Sequence, residues 1–372
     1  MSAPSPFSQH KPKLQIVVDS TSIGALQQCA RFYQLAILEG YRGSKVDLEF
    51  GGYFAKGVEI FKKARAEGKS RDEAQLLAVK EVVEGSWVET ANDAAFDVGG
   101  YPWGGNYEAQ WRCLGTSPYK NAKGNKAKCP WSHKGKWHPE PAPNTCGECG
   151  SDTETVRRYN PGNPAKNRHT LVRLMAWYCE EQPENLSSGL HTYVFPNGKP
   201  AVELSWKLPL PFQNKYGETY ILAGHLDSIM TNGLETFVSD NKTTKNALLK
   251  TYWKRYEPNT QVDIYDLAGS LLFPELGLRG VMIEAAQTLV DGARFGSHIF
   301  YRTEAQREEL LNELGWWLGQ AERHAEENYW PMNRKNCAMC PFQGICSKPP
   351  SERERYLKAD FNVEHWNPLE ER

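Results

Sequence analysis

Apolar and polar positions along the chain follow two periods, helical toward both ends and strand-like in the middle. Across residues 22–40, Leu26, Cys29, Tyr33 and Leu38 recur loosely at helical spacing, and residues 54–83 read as one or two further helices. Gly68-Lys69-Ser70 interrupts that second stretch with a serine suited to cap the helix that follows. Residues 169–181 again carry a helical pattern. The spacing then shortens. Pro200-Ala201-Val202-Glu203-Leu204-Ser205 starts a strand, residues 219–227 form a nearly continuous apolar one, and Glu235-Thr236-Phe237-Val238-Ser239-Asp240 has the aromatic and β-branched character of its neighbour. Thr231-Asn232-Gly233 supplies the hairpin turn between the last two. A helix over residues 261–271, strands over 279–287 and 297–302, and a long helix over 304–328 complete an α/β pattern.

Composition narrows the picture only in part. With 372 residues, 40 % of them hydrophobic, the chain can bury one large core with an insertion, or two cores. No run approaches the roughly 18 apolar residues of a membrane span, and residues 1–12 lack a signal-type apolar stretch, so a cytoplasmic, membrane-free setting is expected. A net charge of −1 excludes gross attraction to a polyanion. Local asymmetry remains: Lys120, Lys123, Lys126, Lys128, Lys134 and Lys136 occur with no acid among them and with Trp131 and Trp137 interleaved. Cations beside aromatics suit phosphate contact and base stacking, which makes Lys123, Lys126 and Lys128 candidate DNA contacts. A solvated lysine-rich loop is the plainer alternative.

Candidate chemistry concentrates on the central hairpin. Gly224-His225-Leu226-Asp227 and Ser239-Asp240-Asn241-Lys242-Thr243 carry two carboxylates and an ammonium on adjacent strands. Side chains two apart on a strand share a face, so Asp240 and Lys242 are expected to project together, toward whatever Asp227 faces. Two carboxylates suit Mg²⁺ or Mn²⁺, and a lysine beside them can orient water or offset charge developing on phosphorus.

This arrangement resembles the RecB-like branch of the PD-(D/E)XK nuclease superfamily, where a Gly-x-x-Asp strand precedes an Asp/Glu-x-Lys-Thr strand. Gln261-Val262-Asp263-Ile264-Tyr265 matches the family's following Gln-x-x-x-Tyr helix, whose two side chains share a face and contact the DNA. The strand with Glu203 resembles the one that precedes Gly-x-x-Asp in phage members, which makes Glu203 a candidate cleft carboxylate. Phe50-Gly51-Gly52-Tyr53-Phe54-Ala55 departs from the family's Phe-Gly-x-x-x-His pattern, since Ala55 stands in place of a metal-binding histidine. His225, on the strand of Asp227, and Glu59 are the expected substitutes. The fold implied is a restriction-endonuclease-like α/β core, a central mixed sheet flanked by helices. The activity implied is Mg²⁺- or Mn²⁺-dependent DNA hydrolysis, exonucleolytic, in phage or prophage recombination or DNA processing.

Nine cysteines form two groups. Cys337, Cys340 and Cys346 make a C-x2-C-x5-C run. In iron–sulfur members of the RecB-like family, including the CRISPR-associated adaptation nuclease and AddB nuclease domains, a fourth cysteine near the N-terminus completes a 4Fe-4S cluster, and here Cys29 fits. Zinc on the same ligands is the competing reading. Mid-chain, Cys129, Cys146 and Cys149 read as a zinc ribbon or knuckle whose fourth ligand is His133 by spacing, with His138 or Cys113 as alternates.

The expected organisation is residues 1–112 as the helical start of the core with the first cluster cysteine, 113–166 as an inserted basic zinc module, 167–346 as the catalytic core with the late cysteines, and 347–372 as a loosely packed surface tail. Rival readings are a weak or inactive nuclease fold that binds DNA or assembles with others, and a subunit working with a recombination or helicase partner. No Gly-x-x-x-x-Gly-Lys-Ser/Thr motor element is present.

Overall fold

A computed structural model describes residues 5–42, 46–86, 106–132, 138–139, 143–160, 165–181 and 189–370. The chain divides into two compact units, Met1–Val82 with Leu174–Thr288 and Ala293–Arg372, and Val83–Arg173 with Leu289–Gly292.

In chain order, the first unit opens with β1 (Val17–Val18), α1 (Ser20–Gln28), α2 (Ala30–Tyr33), a π-helical turn over Gln34–Leu38, β2 (Tyr41–Arg42), α3 (Val46–Ala66) and most of α4 (Arg71–Gly85). The helix expected over residues 22–40 is broken at Cys29, whose extended backbone (φ −172°, ψ 123°) ends α1. Ser70 caps α4 as its hydroxyl suggests, accepting the Glu73 N–H at 3.2 Å while Glu73 accepts the Ser70 N–H at 2.9 Å.

The second unit holds β3 (Asn106–Cys113), β4 (Tyr119–Lys120), β5 (Lys126–Ala127), β6 (His138–Pro139), β7 (Thr153–Asn160) and the start of α5 (Arg168–Glu181). β3 pairs antiparallel with β7 from end to end, Asn106 with Asn160 and Cys113 with Thr153. Two strands in one ladder belong to one body, so the insertion begins well before residue 113, where the sequence pattern placed it.

The first unit resumes with β8 (His191–Thr192), β9 (Val202–Gln213), β10 (Thr219–Thr231), β11 (Thr236–Thr244), α6 (Lys250–Trp253), α7 (Thr260–Leu272), β12 (Val281–Thr288), β13 (Ala293–Phe300), α8 (Glu304–Glu326), α9 (Gln343–Cys346), α10 (Arg353–Asp360) and β14 (Asn362–Val363). Its main sheet is mixed: β1-β10-β11-β12-β13 in order, with β8 and β9 also on β10. β1 runs parallel to β10 and β11 parallel to β12, whereas β10 and β11 form the antiparallel hairpin expected from the Asn-Gly turn. Alternation along β11 separates two apolar layers, as the period of two requires. Val238 belongs to the core that holds Leu226, Val262, Ile264, Ile283 and Leu314, while Phe237 belongs to a separate cluster with Met230 and Met282.

Residues 347–372 do not form a loose tail. β14 pairs with β2, Leu357 is buried in the main core, and the Phe361 ring stacks on Phe342 at 4.9 Å. Apolar residues spaced through a charged segment hold it to the core, a long-range packing that composition conceals.

Candidate active site

The β10–β11 hairpin brings the two acidic motifs to one cleft of about 420 Å³, lined by Asp227, Asp240, Lys242, His225, Gln261 and Tyr265 together with Asp19, Ala55 and Trp366. Ser228 pairs with Ser239, so one step back along the ladder Asp227 faces Asp240. The motif glycine has a steric reason. Gly224 pairs with Trp206 on β9, and a Cβ there meets the indole at 3.0 Å. Three positions further on, Glu203, next to the Leu204 that pairs with Leu226, takes the left-handed backbone at φ +51°. A non-glycine residue there is strained by about 1–3 kcal/mol, and this strain sits beside Asp227. Glu203 itself is not on the cleft wall. Its carboxylate acts on Lys56 of α3.

Lys242 Nζ lies 2.8 Å from Asp240 Oδ1 and 2.7 Å from Oδ2. Burial pushes the Asp240 carboxyl up to about 6; Lys242 works against that shift and Asp227 adds to it. Burial would lower the Lys242 ammonium, but Asp240 and Asp227 outweigh it and hold the group charged. Asp227 Oδ2 accepts the Asn241 backbone N–H at 2.9 Å, which fixes one carboxylate oxygen. A buried carboxyl that a second carboxylate raises further fits a divalent cation, whose charge relieves the repulsion.

The Asn259 side chain caps α7 by accepting the Gln261 and Val262 N–H groups, and one turn on, Gln261 Nε2 donates to the Tyr265 hydroxyl at 3.1 Å. His225 lines the cleft with Nδ1 2.9 Å from Ser205 Oγ. Glu59 does not substitute for the missing histidine. It is bound by Lys56 at 2.9 Å and Lys63 at 2.6 Å, one helical turn away on either side, and is not among the cleft residues.

Sequence reading missed a second lysine–carboxylate pair behind the site. Lys62 Nζ of α3 reaches Glu284 Oε1 of β12 at 2.8 Å and Ser228 Oγ at 3.0 Å. Glu284 also accepts from the Ser239 hydroxyl and, at 3.1 Å, from Tyr178. Burial would raise Glu284, but Lys62 and the two hydroxyls outweigh it and hold the carboxyl below its ordinary value. A Lys-Lys pair in a helix does not reveal which member turns inward.

In the second unit, Cys113, Cys129, Cys146 and Cys149 bring their sulfurs within 4.8 Å of one another. Cys113 and Cys149 are 3.4 Å apart and Cys129 and Cys146 3.7 Å, close to the ~3.8 Å edge of a tetrahedron with Zn–S bonds near 2.3 Å. The Gly115 N–H donates to Cys113 Sγ at 3.2 Å, the bond a thiolate favours. Cys113, one of the alternates to His133, is thus the fourth member of the group among the described residues, outside which His133 lies. β3 ends at Cys113, and no local motif marks that cysteine. Lys123, Lys126 and Lys128 are exposed on or near the β4–β5 hairpin. Trp131 is not a free stacking platform, because its ring lies parallel to Trp111 at 5.5 Å and packs against the thiols. Lys134, Lys136 and Trp137 also lie outside the described residues.

In the first unit Cys29, Cys337, Cys340 and Cys346 line one small cavity with Arg31, Phe32 and Phe342. The Asn333 N–H points at Cys29 Sγ from 3.2 Å.

A mixed sheet that presents two carboxylates and a lysine from one hairpin defines a divalent-metal phosphodiesterase type of site. Comparison with known families assigns the chain further: residues 156–347, just over half of it, match the PD-(D/E)XK nuclease superfamily, to which the chain belongs. Members of that superfamily are metal-dependent nucleases acting on DNA. No curated protein matches the chain. Among the solved structures that match is one titled "Crystal structure of SSO0001", 14 % identical, covering 48 % of this chain and 70 % of that one, with a TM-score of 0.25. Among the described residues no helix is long and apolar enough to cross a membrane.

Proposed function

We propose that the protein is a RecB-like deoxyribonuclease of the iron–sulfur type that hydrolyses phosphodiester bonds with Mg²⁺ or Mn²⁺, acting as an exonuclease in phage or prophage DNA processing. The observation that carries this reading is the convergence of Asp227, Asp240 and Lys242 in one cleft. Asp227 and Asp240 would hold the cation, with His225 beside them where Ala55 stands in place of the family's histidine. A divalent cation supplies an acidified water and neutralises charge on phosphorus. Lys242, kept charged by Asp240, orients the attacking water and offsets the negative charge that grows on the phosphoryl oxygens. Gln261 and Tyr265, joined by their hydrogen bond, position the strand on the cleft floor. Glu203 contributes the strained backbone beside Asp227 rather than a ligand.

Cys29, Cys337, Cys340 and Cys346 hold a 4Fe-4S cluster that ties the early helix to the late cysteine run, and Cys113, Cys129, Cys146 and Cys149 hold Zn²⁺. The zinc unit presents Lys123, Lys126 and Lys128 to DNA phosphates, in the cytoplasm and alongside a recombination or helicase partner. Ala55 on the cleft wall favours a second reading, a weak or inactive nuclease fold that binds DNA as part of a larger assembly. Anaerobically purified protein on end-labelled single- and double-stranded DNA separates the two. Cleavage with Mg²⁺ or Mn²⁺ that disappears in Asp240→Ala supports the enzyme, and binding without cleavage supports the scaffold.

A further inference from the structure

The C-terminal segment that the sequence pattern left as a loose tail passes along the catalytic cleft at Trp366. Phe361 stacks on Phe342, β14 pairs with β2, and the Glu364 N–H donates to the Gly40 carbonyl at 2.8 Å. His365 meets the Phe7 ring edge-on at 5.4 Å. These contacts deliver Trp366, whose Nε1–H donates to Asp19 Oδ2 at 2.9 Å. Asp19 is itself immobilised: it caps α1, its Oδ1 accepts the Ser22 N–H at 2.8 Å, and it is buried. The Arg42 guanidinium lies 5.4 Å from the Trp366 ring centre. Held by its edge, the half-buried indole lines the same cleft as Asp227, Asp240 and Lys242.

Trp366 packs partly against the main core yet also lines the cleft, and it is the only residue of the strap that does so among the described residues. A nucleotide whose phosphate reaches Asp227 and Asp240 carries its base within a few ångströms of the cleft wall. With Arg42 over one face, the other face of a ring fixed at that wall can stack on any unpaired base, whatever its identity, and the guanidinium adds attraction for the neighbouring phosphate. A paired base offers no face.

We propose that Trp366 is a substrate-contacting residue on which a base flanking the scissile phosphate stacks, so that the C-terminal strap selects single-stranded or frayed DNA. This rests on the nuclease reading for the identity of the cleft, but its test does not need turnover. Binding of short single-stranded oligonucleotides is measured with the cleavage-blocked Asp240→Ala protein and with Asp240→Ala combined with Trp366→Phe or Trp366→Ala. Each is run against the intact strand and against strands carrying one abasic site at successive positions. Stacking predicts that Trp366→Ala weakens binding about 10-fold, that Trp366→Phe stays near the parent, and that one abasic position weakens the parent by a similar factor while adding nothing to Trp366→Ala. Trp366→Ala losses that persist in full at every abasic position, or equal losses in the Phe and Ala variants, overturn the proposal and return Trp366 to a structural role through Asp19. The abasic scan on the parent protein reads the same point if the Ala variant fails to fold: no sensitive position means no stacked base. Stacking behaviour in a protein whose wild type never cleaves would sink the nuclease reading and leave this one, whereas metal-dependent cleavage indifferent to both Trp366 and abasic sites would do the reverse.

Discussion

Two lysine–carboxylate pairs carry their acids on adjacent strands at the same separation, yet differ in their surroundings. On β11, Asp240 meets Lys242 at 2.8 Å; on β12, one register step away, Glu284 meets Lys62 at 2.8 Å. The Lys62–Glu284 pair is sealed, and its charges are shared with Ser228, Ser239 and Tyr178 until the Glu284 carboxyl is held below its ordinary value. The Asp240–Lys242 pair opens on the cleft, its lysine is outweighed by burial and by Asp227, and the Asp240 carboxyl is pushed up to about 6. A carboxylate with all its partners has nothing left to bind. One that remains destabilised when paired is poised for a further cation, and this difference sets the structural pair apart from the pair we propose as the reaction centre.

Breaking the open pair gives the largest expected effect. Lys242→Ala lowers the cleavage rate roughly 10²–10³-fold, the scale for removing one group that stabilises developing charge, and Asp240→Ala lowers it at least as far, with melting temperatures near the parent; cleavage kinetics beside thermal melts check both. The sealed pair behaves in the opposite way. Lys62→Met or Glu284→Gln strands a buried partner and costs about 3–5 kcal/mol of stability, read by denaturant unfolding, while Lys62→Met with Glu284→Leu recovers much of the loss.

Acid sharpens the contrast further, because the two shifts have opposite signs. Glu284 is depressed in the folded state, so its stabilisation is present above the ordinary glutamate range and is lost as pH falls through the lowered value. Asp240 is raised, so its contribution is greatest below the ordinary aspartate range and is lost as pH rises through about 6. Since a proton competes with the cation for Asp240, Mn²⁺ affinity should weaken by up to about tenfold per pH unit below that point. Calorimetric titrations across the range check this, and a flat profile from pH 7 to pH 5 would contradict it. The smallest effect on the cleft belongs to the sealed sulfurs of the second unit: Cys113→Ser lowers bound zinc and melts that unit earlier, His133→Ala leaves the metal content unchanged, and both leave the Mn²⁺ affinity of the cleft near the parent. Metal analysis of the purified variants decides between the two ligands.

Much of the cleft was legible because its chemistry sits on short local patterns. A strand period of two places Asp240 with Lys242, an Asn-Gly turn folds Asp227 back toward them, and a four-residue helical step joins Gln261 to Tyr265. The parts that stayed hidden lack such periodicity. Cys113 meets thiols up to 36 positions away, Lys62 finds Glu284 222 positions later, and Trp366 reaches Asp19 across 347. Glu203 is absent from the cleft lining for another reason: alternation assumes extended backbone throughout, and Glu203 takes a left-handed conformation just past the last paired residues, Leu204 and Leu226. The tail misled because its charge hides the few apolar residues, Leu357 and Phe361 among them, that dock it.

The most direct test of the open pair as the metal centre is a Mn²⁺ titration of the wild-type protein, Asp240→Ala and Glu284→Gln, each shown to be folded at the temperature used. The account predicts that Asp240→Ala loses the site while Glu284→Gln binds within a few-fold of wild type despite its lower stability. Equal Mn²⁺ affinity in wild type and Asp240→Ala, or a loss confined to Glu284→Gln, would place the cation elsewhere and contradict the account.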